Sequence, residues 1–231
     1  MQKIFKKYLK NKNTQSGVTF IELIVVISIF ALISTVVLFN FGDFSTSISL
    51  QNVSQDIALK IAEAERNAVS GKSNNLLIQA APSADYAPTY GVIFSTSLAV
   101  SSVTDNFNKP GQEFISFVDL PDSYNPPNGN EVYDRGQTSG ALATVCSDIN
   151  TECLSRSIIT TGDRITDICI EGNCGYNDVT VLFRRPFPDA IIHTSDDGNI
   201  ATYGSVEIKI TSAKGATKSV YVNKLGQVSV K

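Results

Sequence analysis

Histidine is almost missing from this chain: among 231 residues it occurs once, at His193. Chemistry built on paired imidazoles, such as the two-histidine zinc motif of peptidases, is excluded, and no nucleophile-elbow or dinucleotide-binding pattern occurs. His193 follows Ala190-Ile191-Ile192, a strand-like context that predicts a hydrogen-bonded structural imidazole rather than a general base. Ser70-Gly71-Lys72-Ser73 imitates the end of a phosphate-binding loop, but Arg66 stands where the first glycine should be, and the segment closes a helix instead of opening one. The expectation is a non-enzymatic chain with no catalytic residue and no cofactor. An excess of basic residues is missing too. The formal charge is -3, from 19 Lys+Arg against 22 Asp+Glu. Phosphate recognition is mainly electrostatic, so nucleic acid is not an expected partner.

Acidic residues are absent before Glu22, while Lys3, Lys6, Lys7, Lys10 and Lys12 precede it. From Val18 to Phe41 the chain is a nearly unbroken apolar run, long enough as a helix to cross a hydrocarbon layer of roughly 30 Å. The positive-inside tendency keeps the leading lysines in the cytoplasm and sends everything after the helix outward. Glu22 is the anomaly. A carboxylate at mid-membrane costs roughly 2.5 to 3.5 kcal/mol even on lenient scales, so it marks a functional position in want of a partner. A plain signal anchor would explain the run but neither Gly17 nor Glu22. A secretory signal peptide would have a shorter apolar core and a small-x-small cut site.

Gly17-Val18-Thr19-Phe20-Ile21-Glu22, followed by Leu23-Ile24-Val25-Val26-Ile27, resembles the start of type IV prepilins and type II secretion pseudopilins: a basic leader, a glycine, then an apolar helix whose fifth residue is glutamate. The resemblance covers about thirty residues. Val18 stands where the family more often has phenylalanine, and the leader is longer than the shortest ones. It implies that a prepilin peptidase cuts between Gly17 and Val18, that the new amine of Val18 is N-methylated, and that Glu22 pairs with the Val18 amine of a neighbouring subunit during assembly. Glycine offers no side chain to obstruct close approach of a peptidase. Loss of the five lysines leaves 14 basic against 22 acidic residues, a charge of about -8.

Beyond the apolar run, Leu50, Val53, Ile57, Ile61, Ala64 and Ala68 recur at steps of three and four, the mark of a helix with one buried stripe. Gly71 is its stop signal, and Asn40, Gly42 and Asp43, of weak helix propensity, make a soft point between the two parts. The expected organisation is a leader over 1–17, a transmembrane helix over 18–44, an amphipathic continuation over 45–71 and an exported β-rich domain over 72–231. The fold class is α+β, a long N-terminal helix on an antiparallel sheet domain. Predicted strands are Leu76–Ala80, Tyr90–Phe94, Glu113–Val118, Ser157–Thr161, Arg164–Ile170 and Val179–Phe183. They are followed by a terminal meander from Ser205–Ile210 through Ser219–Val222 to Val228–Val230. Residues 119–140, rich in proline and glycine, predict a long loop. An alanine-rich helix together with the closing Val-Asn-Lys-Leu-Gly-Gln-Val also resembles H-type minor pseudopilins and their pilus counterparts.

All four cysteines, Cys146, Cys153, Cys169 and Cys174, fall in the exported part, where oxidation is permitted. Two disulfides are expected. The sequence-local pairs Cys146–Cys153 and Cys169–Cys174 are preferred among three possible connectivities, and the spacing suits zinc poorly. Asp196-Asp197-Gly198-Asn199 offers oxygen ligands to calcium, but a β-turn uses the same residues. Asn52-Val53-Ser54 matches a glycosylation acceptor inside the predicted helix. Ser28, Ser34 and Thr35 are candidates for close helix packing.

The reading is a structural subunit of a type IV pilus or a type II secretion pseudopilus, of minor type. It is expected in the inner membrane with its outer domain exported, and then in a pilus or on the cell surface. Its partners are the prepilin peptidase, other pilin or pseudopilin subunits and the membrane. The alternative is a membrane-anchored binding module or adhesin that does not polymerise.

Overall fold

A computed structural model of the chain describes residues 17–71, 89–96, 109–119, 130–133, 146, 152–198 and 201–231. The leader lysines, the expected strand Leu76–Ala80, most of the 119–140 loop and Asn199 lie outside the described residues. The chain divides between Phe44 and Ser45 into two compact units. Among the described residues, one α-helix, α1 (Phe20–Ser70), contributes to both, and ten strands in two antiparallel sheets belong to the second. The fold is α+β. Asn40, Gly42 and Asp43 interrupt nothing, because α1 is helical throughout.

In the first unit, α1 has an apolar surface that nothing in the structure covers. The stretch Phe20–Leu38 is long and apolar enough to cross a membrane, and none of it is buried. Such a surface in water would cost roughly 25 cal/mol for each Å² left exposed. Two of its hydroxyls are consumed within the helix, where Ser28 Oγ donates to the Ile24 carbonyl at 2.8 Å and Thr35 Oγ1 to that of Ala31 at 2.7 Å. An apolar surrounding offers such groups no water, and back-bonding removes the need for it.

In the second unit the stripe on α1 is buried at all six positions, Leu50, Val53, Ile57, Ile61, Ala64 and Ala68. It shares one core with the inner faces of both sheets. The first sheet runs β3 (Cys153–Ile158), β2 (Glu113–Asp119), β1 (Thr89–Ser95), β6 (Asp178–Arg184), β7 (Ala190–His193). The second runs β10 (Val228–Val230), β9 (Thr217–Asn223), β8 (Ser205–Thr211), β4 (Arg164–Ile170), β5 (Asn173–Cys174).

The two sheets are buried differently, and their sequences show it. In β8, Val206, Ile208 and Ile210 point into the core while Glu207 and Lys209 are only partly covered, so the strand alternates. In β1 every residue is buried, because Tyr90, Val92 and Phe94 face the helix side while Ile93 faces a second cluster with Ile115, Phe117, Leu182 and Tyr133. A sheet covered on both faces reads as a continuous apolar run. Gly91 sits in this strand because a Cβ there would lie 2.6 Å from Leu182 Cδ2 and 2.9 Å from the Phe117 ring.

β3 occupies Cys153–Ile158 instead of the expected Ser157–Thr161. Cys153 pairs with Phe117 across a bulge, which starts the strand early. Beyond Ile158 one further backbone bond, from the Ile159 N–H to Gln112 O, extends the pairing with β2, and the Thr161 hydroxyl then donates to the Asp163 carboxylate. The short strand β5, not expected from sequence, closes a two-residue turn after β4, with Cys169 opposite Cys174. Cys146 is disulfide-bonded to Cys153, and Cys169 to Cys174. Each closes a short loop, seven and five residues apart in sequence, and so lowers the entropy of the unfolded chain only modestly.

Two helix neighbours test this arrangement. Ile57 is 0% exposed and Leu59 is 65% exposed. In urea unfolding of the full chain in detergent micelles, followed by circular dichroism, Ile57→Ala should lower stability by about 2 to 5 kcal/mol. Leu59→Ala should stay within about 0.5 kcal/mol.

Candidate functional site: the N-terminal helix start

The first described residues, Gly17, Val18 and Thr19, precede the helix without regular structure. A Cβ added to Gly17 would meet nothing within 4 Å, so no contact in the folded chain requires glycine there. Val18 is exposed. Helix α1 begins at Phe20 with Thr19 as its cap. The Thr19 N–H and hydroxyl both donate to Glu22 Oε2 at 3.3 Å, and the Glu22 N–H donates back to Thr19 Oγ1 at 3.3 Å. This is a reciprocal capping box: it satisfies amides that the first helical turn leaves free and places the carboxylate at the positive end of the helix dipole. Glu22, expected to want a partner, therefore has one in its own chain. The sequence signal for it is a threonine three residues before a glutamate at the head of an apolar run.

The remaining candidates lie in the second unit. His193 is 3% exposed at the end of β7, and its Nε2–H donates to the Glu131 carbonyl at 2.8 Å. It acts electrostatically on Asp178, whose carboxylate accepts from the Ser195 amide at 3.1 Å and from the Ser195 hydroxyl. The hydrogen bonds thus tie the serine to the aspartate and the histidine to a backbone carbonyl. Burial raises the Asp178 pKa above its ordinary value, while the two Ser195 hydrogen bonds act the other way.

Asp196 and Asp197 face different partners. Asp196 accepts from Asn177 N–H and Nδ2 at 2.8 and 2.9 Å, and Asp197 accepts from the Tyr203 hydroxyl at 2.8 Å. That bond raises the phenol pKa to about 12. The segment is a single 3-10 turn, Ser195–Asp197, with Thr194 as its cap and Gly198 in the left-handed region at φ 73°. Among the described residues, one cluster has metal-ligand spacing, Asp167, Cys169 and Cys174. Both of its sulfurs are spent in the disulfide.

Residues 12–38 match the family model of the prokaryotic N-terminal methylation motif. The chain carries the prepilin and pseudopilin signature, a motif of structural rather than catalytic proteins, and its apolar N-terminal helix points to membrane anchoring. No curated protein and no solved structure matches the chain.

Two measurements follow from these residues. Thr19→Ala removes the cap, worth about 1 kcal/mol, so amide exchange in the first turn of α1 should accelerate about fivefold while β-strand amides are unchanged. For Asp178, the raised folded-state pKa means that the native chain holds more protons than the unfolded chain between the ordinary 3.8 and the raised value. Stability should therefore fall as pH rises through that window, and Asp178→Asn should remove this component of the pH slope in urea midpoints.

Proposed function

We propose that the chain is a precursor subunit of a type IV pilus or a type II secretion pseudopilus, of the minor type that resembles H-type pseudopilins. A prepilin peptidase cuts it between Gly17 and Val18, and the Val18 amine is then methylated. The leader is 1–17, the membrane part 18–44, the helical continuation 45–71 and the exported domain 72–231. The mature helix anchors the subunit in the inner membrane until it joins other subunits in a filament at the cell surface.

The observation that carries this reading is the helix start followed by an uncovered apolar helix. Among the described residues nothing lies within 4 Å of where a Gly17 side chain would stand, which supports access by an outside enzyme. Phe20–Leu38 has no cover of its own, which calls for lipid or neighbouring helices. For Glu22, assembly is an exchange of partners: the carboxylate leaves the Thr19 hydrogen bonds for the charged amine of a neighbour, an attraction that gains strength where the dielectric is low.

The test is intact mass and N-terminal sequencing of the chain from membranes that also contain a prepilin peptidase. A chain beginning at Val18 with one added methyl group is expected, and Gly17→Val should leave it beginning at Met1 with an unchanged melting profile. Glu22→Ala should be processed and folded yet absent from sheared filaments, whereas a non-polymerising anchored module would be indifferent to that change. An unprocessed wild-type chain beside active peptidase would sink the proposal.

A further inference from the structure

Among the described residues of the second unit lies a hollow of ligand size. It is an open cleft of about 560 Å³ whose walls include Glu171, Asp189, Tyr203, Lys224, Leu225 and Ile191. Small-molecule sites typically occupy about 300 to 1,000 Å³ and combine apolar surface with a few convergent polar groups. Another hollow, between α1 and the first sheet, holds about 40 Å³ and takes no more than a water or two.

The cleft is built from turns that are distant in sequence and tied together by backbone. Tyr203 N–H donates to Ile192 O at 2.9 Å, Lys224 N–H to Gly204 O at 2.8 Å, and Ala190 N–H to Lys224 O at 2.9 Å. Glu171 enters from the β4–β5 turn, where it holds a left-handed φ of 49°, a conformation that costs a non-glycine residue of order 1 kcal/mol or more. Two bonds keep it there. Its N–H donates to Ser205 O at 3.1 Å, and its Oε1 accepts from Gly204 N–H at 2.7 Å. The Cys169–Cys174 disulfide closes the same turn, so the wall is fixed before any ligand arrives.

The charges choose among ligands. Glu171, Asp189 and Lys224 are exposed, and among the described residues none of them is in an ion pair. A ligand carrying a single charge of either sign meets a like charge here as well as an opposite one, since two carboxylates and an ammonium share the lining. A neutral hydroxylated ligand satisfies both kinds of group, because each hydroxyl can donate to a carboxylate and accept from an ammonium. Leu225, Ile191 and Tyr203 give the apolar surface that the carbon faces of such a ligand need. We infer that this cleft is a binding site for a neutral sugar unit of hexose size, free or at the end of a glycan chain.

The test is saturation-transfer NMR on the full chain in detergent micelles, with neutral hexoses and N-acetylhexosamines as probes and the matching uronic acids and amino sugars as charged controls. At least one neutral sugar should receive saturation and bind more tightly than its charged counterparts. Lys224→Met and Asp189→Asn, both at exposed positions, should each weaken it about tenfold with circular dichroism unchanged. A Lys218→Met variant, on strand β9 and outside the cleft lining, should bind as the parent does. Free glucose against a glucose-terminated oligosaccharide distinguishes a single unit from a chain end. The inference is overturned if no neutral sugar in the millimolar range receives saturation, if a charged counterpart binds more tightly, or if neither cleft variant weakens binding. Because the readout is independent of processing and filament entry, its failure leaves the assembly proposal standing, and the reverse holds too.

Discussion

The stripe from Leu50 to Ala68 is the contact on which the second unit depends, because it lies in one core with the inner faces of both sheets. Ile57 and Ile61 are completely buried, with Val92 and Phe94 of one sheet and Val206, Ile208 and Val220 of the other in the same cluster. A two-sheet domain of this size without the helix would have two inner faces and no third layer to close them. Each sheet alone would expose a row of isoleucine, valine and phenylalanine. The helix therefore serves as a wall of the core as well as a tether. Polar ties sit at the margins of this layer, as where Ser49 hydrogen-bonds the Asp163 carboxylate.

The same helix has opposite surroundings on its two stretches, and its composition follows. Before Phe44, apolar residues occur on every side, and the structure buries none of the span Phe20–Leu38. After Ser45, apolar residues concentrate on one side, with Asn52, Gln55, Asp56 and Arg66 exposed on the others. A uniformly apolar helix suits a medium without water, and a striped one suits a surface between core and solvent. The change occurs with no break in the helix.

Much of this was legible in the sequence, for physical reasons that also explain the gaps. The helix stripe follows from spacing alone, and all six of its residues are buried. The alternation of β8 was readable because one face of its sheet meets solvent. In β1 and β6 the second cluster covers the other face, which erases the alternation and leaves only a run of large residues. The start of β3 depends on a bulge opposite Phe117, and β5 is only two residues long, so neither has a local pattern to read. At the helix start, Gly17, Val18 and Glu22 stood out by composition, whereas the role of Thr19 needed its spacing to Glu22. The cleft was beyond reach, because Glu171, Asp189, Tyr203 and Lys224 come from separate turns that only the tertiary fold brings together.

The self-bonded hydroxyls of α1 bear on how the helix can be oriented. With Ser28 and Thr35 turned onto their own carbonyls, two of the polar groups on the flank of Phe20–Leu38 are closed to a neighbour. What that flank offers is a cylinder of leucine, isoleucine, valine and phenylalanine with little to distinguish one azimuth from another. Rotation about the long axis is then nearly isoenergetic over most of the length. The turn that holds Glu22 breaks the degeneracy, so a single carboxylate acts as the index mark by which an otherwise featureless rod can be aligned.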